Sequence, residues 1–401
     1  MKKVFNFKQQ IKHFSQMFDK RTYKTFQGVV DGIAKLRNWT QADLACLSDK
    51  TVRQIQYFFD KAKWSFQQLN EFRLRFVRNK ADFRDRKSDF VALDGSTMKK
   101  DSDASFGNLV GYMYSNKDKK TVNGFHLYGA SVQTKTGRKY ILDFMLFFKE
   151  KWLSEFDAWI SFATKVAAKS KAWILVLDRG FRSKYLLAHI YHKLRRMFLV
   201  RLCATQHVIC NGQKKSKSIK SFLANKDAIQ LEKGKIWIIE NIVIKAWKEV
   251  FKEPVTVIIY HANGFKNPLT ICISQAQMTL EEAIFFVNMY FRRWKIEQLF
   301  KELKSYFRFE KFKVLSHEAI KKYLYIAILV HTLFTTKESE IERIPILKKV
   351  FLCILKAKRN IKEITAIGLK LVLEMLSFDT SLKSIMQLLQ KKNLTLSYEF
   401  L

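Results

Sequence analysis

Short apolar runs alternate with helix-like segments between residues 90 and 202, and this alternation restricts the fold more than any other feature of the sequence. A Lys-Thr-Gly turn joins two of the strand-like segments, and a helix precedes each of the last two strands. In chain order the segments are Phe90–Leu93, Gly124–Thr134, Arg138–Phe148, Ser154–Lys169, Ala172–Leu177, Ser183–Arg195 and Met197–Leu202. A hairpin followed by helix-linked strands predicts an α/β fold with a mixed sheet covered by helices.

The regions that follow have a different pattern. Alternating β-branched residues over 205–278 predict an antiparallel, β-rich insertion. Leu280–Phe309 contains neither proline nor glycine, so we expect one long helix there. We therefore predict a helical domain at 1–88, an α/β domain at 89–316 that includes the insertion, and a helical C-terminal region at 317–401.

The N-terminal 88 residues carry 20 lysines and arginines against 8 aspartates and glutamates, and they lack strand-like alternation. A helix is predicted to begin at Thr40, with Asp43 three residues later as in a capping box. A second helix start follows, and the residues near it are Lys50, Thr51, Arg53 and Gln54. Two short helices joined by a tight turn suit a unit that reads a DNA groove. A plain helical bundle with a solvated basic face explains the same pattern, and the sequence leaves both interpretations open.

The charge of the chain points to its partner. Lysine and arginine number 73 against 36 aspartates and glutamates, a formal net charge of +37. Such an excess opposes compactness through self-repulsion, so a polyanionic partner is the economical explanation. Nucleic acid is the first candidate and an anionic membrane surface the second. Compositional drift explains lysine in place of arginine, but it does not explain so few acidic residues.

Composition also excludes several classes of protein. With 48% hydrophobic and 14% aromatic residues, the chain is too apolar to be wholly disordered. The longest stretch without a charge, Tyr323–Thr336, has 14 residues and is too short to cross a bilayer. The first residues hold no apolar run of signal-peptide length, and five cysteines without a Cys-x-x-Cys pair argue against a disulfide scaffold or a zinc knuckle. We therefore expect a soluble cytoplasmic protein.

Two predicted strands end in an aspartate. Asp94 closes the run Phe-Val-Ala-Leu-Asp, and Asp178 closes Trp-Ile-Leu-Val-Leu-Asp. Either residue alone is explained by ordinary turn chemistry. Together they stand at the carboxyl ends of sheet strands, where open α/β folds place their sites. Two carboxylates there could hold hard divalent cations, which prefer oxygen ligands.

The predicted long helix supplies a third group of polar residues. With about 100° per residue, Arg293 lies about 40° from Glu297, and Tyr290 and Lys304 each lie about 20° from it. A phenol, a guanidinium, a carboxylate and an ammonium therefore share one stripe of the helix. Salt-bridge support of the helix explains part of this pattern, but a solvated face does not explain Tyr290 and Trp294 among the charges.

These motifs together resemble the IS4-type DDE transposases. That family's signature is Tyr, two residues, Arg, three residues, Glu, six residues, Lys, and this chain has it at Tyr290, Arg293, Glu297 and Lys304. The contexts of the two aspartates, Leu-Asp-Gly-Ser and Leu-Asp-Arg-Gly, and the β-rich insertion before the glutamate helix also match. The resemblance covers roughly residues 90–310, and the helical ends agree only in outline.

The resemblance implies a ribonuclease-H-like catalytic core in the α/β domain. Asp94, Asp178 and Glu297 would be the catalytic residues and would hold two Mg²⁺ ions, for which Mn²⁺ can substitute. Contacts to DNA are implied for Tyr290, Arg293, Trp294 and Lys304. The implied activity is cleavage at the terminal inverted repeats of a transposon and joining of the 3′-hydroxyl ends to target DNA.

The implied partners and location follow from that activity. Double-stranded DNA is the expected partner, both as transposon ends and as target. A homodimer on DNA is expected, with the C-terminal region pairing the protomers, in the bacterial cytoplasm at the nucleoid. Two rival functions stay open: a ribonuclease-H-fold nuclease without strand transfer, and an inactive DNA-binding protein derived from a transposase.

Overall fold

The computed structural model of the chain divides into two compact units. The helical unit comprises Met1–Arg84, Asp103–Gly107 and Leu299–Leu401, and the sheet unit comprises Asp85–Ser102 and Asn108–Gln298. The structure describes residues 7–36, 40–100, 110–115, 119–147, 154–210, 213, 215–224, 229–231, 234–262, 267–307, 316–343, 352 and 365–371. The N-terminal and C-terminal helices, which the sequence analysis treats as separate regions, thus belong to one unit. Most of the helices predicted after residue 343 lie outside the described residues.

The described elements are numbered in chain order. The helices are α1 (Phe7–Ile11), α2 (Lys20–Lys35), α3 (Gln41–Ser48), α4 (Val52–Asp60), α5 (Phe66–Arg78), α6 (Glu155–Lys169), α7 (Lys184–Ala188), α8 (Leu280–Arg293), α9 (Lys295–Tyr306) and α10 (His317–Glu342). The strands are β1 (Phe90–Lys99), β2 (Gly111–Ser115), β3 (Lys120–Gln133), β4 (Lys139–Phe147), β5 (Ile174–Leu177), β6 (Met197–Arg201), β7 (His207–Cys210), β8 (Lys217–Ser218), β9 (Ile229–Leu231), β10 (Gly234–Ile244), β11 (Val255–Ala262) and β12 (Leu269–Ile273). A π-helical turn, His189–Lys193, extends α7.

Helices α3 and α4 begin at reciprocal side-chain caps. Thr40 and Asp43 form a capping box at the start of α3, which confirms the start predicted from the sequence. Thr51 and Gln54 form a second capping box at the start of α4. The turn between the two helices includes Asp49 in the left-handed region, with φ of 52°. Each capping box satisfies N–H groups that the first helical turn leaves without a partner.

Helix α10 is buried on nearly every side in the helical unit, so it forms the centre of that unit's core. A cationic side chain is also buried there. Lys370 is fully buried, and its Nζ donates to the carbonyls of Ile33, Ala34 and Leu36 at 2.5, 3.1 and 2.9 Å. These are carbonyls at the C-terminal end of α2, where a cation is electrostatically favourable.

The sheet unit is built on a mixed sheet, as the sequence predicts. Its strand order is β2-β3-β1-β5-β6-β12-β11-β10-β7-β8, with β4 paired to β3 and β9 paired to β10. Only the central pairs β1–β5 and β5–β6 are parallel among the described strands. The hairpin of β3 and β4 turns at Gly137, whose φ of 85° favours glycine. Strand β2 was not predicted.

The β-rich insertion is antiparallel throughout its described strands, as expected from the sequence. Strand β12 also pairs with β6, with Cys272 opposite Val200, so the insertion continues the central sheet. The described part of the chain contains no helix with the length and apolar character needed to cross a membrane.

The expectation of one long helix over Leu280–Phe309 is wrong in one respect, because a turn at Trp294 separates α8 from α9. The N–H of Trp294 bonds to the carbonyl of Phe291, and the N–H of Glu297 bonds to the carbonyl of Trp294, each three residues back. Such bonds tighten the helix locally. Neither proline nor glycine marks this turn, so it was not predictable from the sequence.

Candidate functional site

Asp94 and Asp178 lie side by side at two neighbouring central strands of the sheet. Leu93 of β1 is in register with Leu177 of the parallel strand β5, so Asp94 and Asp178 follow at neighbouring positions. Asp94 still belongs to β1 and pairs with Gly129 of β3. The predicted convergence of the two aspartates is therefore present in the sheet. Asp178 follows the last residue of β5, but the expectation that Asp94 ends its strand is wrong, because β1 continues along β3 to Lys99.

Arg293, the last residue of α8, joins the two aspartates to Glu297. Its Nη1 lies 3.2 Å from Asp94 Oδ2, and its Nη2 lies 3.7 Å from Asp178 Oδ1 and 2.8 Å from Glu297 Oε1. The exposed fraction of the side chain is 8% for Arg293, 13% for Asp94, 36% for Asp178 and 43% for Glu297. Three acidic side chains that are distant in the sequence thus contact one guanidinium group.

Tyr290 completes this cluster from the previous turn of α8. Its hydroxyl donates to Asp178 Oδ1 at 3.2 Å, and the guanidinium of Arg293 lies 5.3 Å from the centre of its ring. Tyr290 is buried. Tyr290 and Arg293 share one side of α8, because residues three apart share a helix face. Glu297 lies on α9, beyond the turn at Trp294, and its contact with Arg293 places it in the same cluster.

Burial and like charge set the ionisation of the cluster. Burial raises the pKa of Asp94 to about 7, although Arg293 lowers it; Asp178 raises it further. Burial also raises the pKa of the Tyr290 hydroxyl. Burial alone would lower the pKa of Arg293, but the surrounding acidic groups outweigh that effect and raise it. One permanent cation faces three acidic groups, so the site has a deficit of positive charge.

The donor chemistry of the cluster fits a hard divalent cation, because all three acidic groups offer carboxylate oxygens. In the arrangement observed, no three His, Cys, Asp or Glu side chains of the described residues form a group that could hold a metal ion. The guanidinium of Arg293 lies among the carboxylates instead. A metal ion at this place would have to take over contacts that Arg293 makes.

A cavity of about 390 Å³ opens beside the cluster. Aromatic and cationic side chains dominate its lining, which consists of Arg201, Tyr260, Ala262, Asn267, Leu269, Tyr290, Phe291, Arg293 and Trp294. Trp294 is 60% exposed, so its indole is not a packed core residue. Aromatic rings beside guanidinium groups are suited to stacking on nucleobases.

Lys304, the last residue of the predicted signature, lies on α9 in the helical unit and is half-buried. Glu297 and Lys304 lie on the same helix, two turns apart, as predicted.

Arg292 and Lys295, which flank Arg293 and Trp294 in the sequence, hold this part of the chain against the sheet. Arg292 Nη2 donates to the carbonyl of Thr134 at 2.6 Å, and Lys295 Nζ donates to the carbonyl of Gly137 at 3.2 Å. Both carbonyls belong to the β3–β4 turn, so the two contacts anchor the chain on either side of Trp294. The sequence did not predict these contacts, because nothing in the spacing of Arg292 and Lys295 links them to that turn.

Tyr128 is a second group that sequence reasoning missed. It pairs with Gly95 in the register of β1 and β3, is buried, and donates its hydroxyl to Glu155. Its ring contacts the ring of Phe181, three residues after Asp178. His126 Nδ1 lies 3.4 Å from the same Glu155 carboxylate. This group therefore packs beside the neighbours of both aspartates, and only the strand pairing reveals it.

A sheet edge that gathers three carboxylates in a strongly cationic chain is typical of enzymes that act on nucleic-acid phosphates. Residues 85–333 match the family described as "Transposase DDE domain". The match spans more than half of the chain, so this protein belongs to that family, and membership indicates transposase activity on DNA.

The other comparisons add little. No curated protein matches the sequence significantly. A crystal structure of the NurA nuclease from Sulfolobus solfataricus is similar over 69% of this chain and 94% of that chain, at 10% sequence identity and a TM-score of 0.27. A likeness at that TM-score carries no argument about fold or function.

Proposed function

We propose that this protein is an IS4-type transposase with a ribonuclease-H-like core, which cuts DNA at terminal inverted repeats and joins the freed 3′-hydroxyl ends to target DNA. The contact of Asp94, Asp178 and Glu297 with one cationic group, inside the region that matches the transposase family, supports this proposal most directly. The Tyr-Arg-Glu-Lys signature supports assignment to the IS4 type.

In this proposal Asp94, Asp178 and Glu297 are the catalytic residues and hold two Mg²⁺ ions, for which Mn²⁺ can substitute. When bound, such ions lower the pKa of a water or a 3′-hydroxyl and stabilise the departing oxygen at the phosphate. Asp94 must lose its proton before it can act as a ligand, because only the carboxylate has its oxygens free for a cation. Its burial makes that proton harder to remove.

The cationic and phenolic groups of the signature have a separate role. Arg293 can pair with phosphate oxygens through its planar fork, and Lys304 can act as a point charge. Tyr290 would donate its hydroxyl to a phosphate in place of Asp178. These contacts orient the DNA strand at the cluster, and orientation is a large part of catalysis in phosphoryl transfer.

Trp294 and the cavity beside it suit an unpaired base. The indole is exposed at the rim, and Tyr260 and Phe291 supply further aromatic surface. Stacking accepts any base, because each base has an aromatic face. We propose that Trp294 stacks on an unpaired or flipped base at the transposon end.

The helical unit would recognise the transposon end through α3 and α4. Arg53, Gln56 and Tyr57 are exposed on α4, whereas Ile55 and Phe58 are buried against the core. The face that α4 presents to solvent thus carries a guanidinium and an amide, the groups that read guanine and adenine in the major groove. This arrangement favours the groove-reading interpretation over a plain bundle.

Replacing the reading groups tests that interpretation. In the full-length protein, Arg53→Ala and Gln56→Ala are each expected to weaken binding to the specific end by about 5- to 150-fold, with little change on unrelated duplex DNA. The measurement is a gel-shift titration with both duplexes. Lys20→Ala, a change of a lysine at the start of α2, is the control. An equal loss on both duplexes would assign these residues to the DNA backbone.

A strand-transfer assay tests the function as a whole. The substrate is a labelled duplex from the DNA flanking the coding region, where short inverted repeats bracketed by a direct duplication mark the ends of an element. With Mg²⁺ and target DNA we expect joined products. Cut DNA without joining would favour a nuclease, and bound but intact DNA would favour an inactive DNA-binding protein. A homodimer on DNA is part of the proposal, and the mass of the protein–DNA complex tests it.

A further inference from the structure

We propose that Arg293 substitutes for the divalent cation while no metal is bound, and that it exchanges the three carboxylates for DNA phosphate when the metal enters. This inference rests on the proposed function, because it assumes that Asp94, Asp178 and Glu297 are metal ligands. It adds a competition between a residue of the chain and the metal, which the proposed function does not contain.

Arg293 occupies the place among the carboxylates that a metal ion would need. Arg293 reaches all three carboxylates at 2.8 to 3.7 Å through its two Nη atoms. A magnesium ion lies about 2.0–2.1 Å from its oxygen ligands. Carboxylates close enough to share such an ion leave no room for a guanidinium between them, so the two cations exclude one another.

The hydrogen bonds of the Arg293 guanidinium are incomplete in this position. Its Nε is buried and has no hydrogen-bond partner among the described residues. A buried N–H without a partner is rare and costs free energy. Each carboxylate thus has a cationic contact, but one N–H of the guanidinium lacks an acceptor. We expect this of a group that has a second position with other acceptors.

The cavity beside the cluster offers the Arg293 side chain a second position. Arg293 lines the cavity beside the cluster, together with Arg201 and Trp294. Polyanionic DNA entering there would offer phosphate oxygens, which suit the planar fork of an arginine.

The exchange couples the two ligands. A phosphate that draws Arg293 away leaves three carboxylates for the metal, and a metal on the carboxylates frees Arg293 for the phosphate. Because coupling between two binding sites is reciprocal, DNA and metal then increase each other's affinity. The carboxylates stay close together in the meantime, since the guanidinium screens their mutual repulsion.

Binding of Mn²⁺ alone to the full-length protein tests the exchange. Calorimetric titration of Arg293→Gln is expected to show Mn²⁺ affinity at least about fivefold higher than wild type, the lower end of usual coupling. The melting temperature without metal is expected to fall, and Mn²⁺ is expected to raise it by more than in wild type. Lys301→Gln, which removes the same charge from an exposed position on α9, is the control and should change Mn²⁺ affinity by less than about twofold.

The outcomes separate the inference from the proposed function. Equal or weaker Mn²⁺ binding by Arg293→Gln, with wild-type binding intact, would overturn the exchange but leave the metal ligands. Absence of Mn²⁺ binding in both proteins would overturn the proposed function itself. If Arg293→Gln does not fold, Arg293→Lys serves, because lysine keeps the charge but lacks the planar fork that spans the three carboxylates; we expect an intermediate rise in Mn²⁺ affinity.

Discussion

The two compact units each bury a cationic side chain, but they treat it differently. Lys370 of the helical unit donates to three carbonyl oxygens at the end of α2. Arg293 of the sheet unit faces three acidic side chains, and its Nε has no partner among the described residues. Neutral carbonyls make a fixed structural contact, whereas an excess of carboxylates invites another cation. Burial alone therefore does not distinguish a structural charge from a functional one, but the balance around it does.

Neutralising the acidic residues around Arg293 should have the largest effect. Asp94→Asn, Asp178→Asn and Glu297→Gln are each expected to reduce DNA cleavage by a hundredfold or more, roughly, because each change removes a proposed metal ligand. Gel-shift and cleavage assays on the same labelled end measure binding and chemistry separately. Glu249→Gln, which removes an exposed acid paired with Lys184, is the matched control. Loss of end binding in all three variants would identify these acids as structural groups.

The pH dependence of stability shows how burial and the charge of Arg293 together act on Asp94. The pKa of Asp94 is about 7 in the folded protein and about 3.8 for a free side chain, so the protonated form stabilises the fold. That contribution is complete below about pH 4 and is lost as the pH rises to about 7, and it amounts to roughly 4 kcal/mol.

Asp94→Asn does not titrate and provides the reference. The stability of wild type minus that of Asp94→Asn, from denaturant unfolding in metal-free buffer, should therefore decline between pH 4 and 7 and stay level above. A difference that rises over this interval would mean that Arg293 outweighs burial.

The contribution of the buried Lys370 to stability, in contrast, should not depend on pH. Lys370→Met is expected to destabilise the helical unit by about 2 to 3 kcal/mol, because it leaves buried carbonyls of α2 without a donor. The loss should be constant between pH 5 and 8, since carbonyls do not titrate. Thermal unfolding followed by circular dichroism measures this loss. Lys35→Met, which changes a half-exposed lysine of α2, is the control. A loss that varied with pH would weaken the distinction between the two buried cations.

The smallest expected effect concerns Lys304. Replacing this lysine with alanine should weaken end binding a few-fold and reduce the slope of log affinity against log salt by about 1, because one phosphate contact is lost. Binding titrations at four or more salt concentrations give the slope. An unchanged slope with Lys304→Ala would count against a phosphate role.

Much of the fold was predictable because it depends on local pattern. The apolar runs before Asp94 and Asp178 predict the two parallel strands, and the capping box at Thr40 predicts the start of α3. The stripe of Tyr290, Arg293 and Glu297 follows from helical periodicity. The break at Trp294, strand β2 and the role of Tyr128 were not predictable, because each depends on contacts with segments distant in the chain.

The sequence by itself determined most of the secondary structure of the site, its acidic and basic residues and the charge that points to a polyanion. Only the tertiary structure decided that one guanidinium lies among three carboxylates and that burial raises the pKa of one of them. The physical reason is that periodicity and capping act over a few residues, whereas desolvation and ion pairing depend on which surfaces the fold brings together.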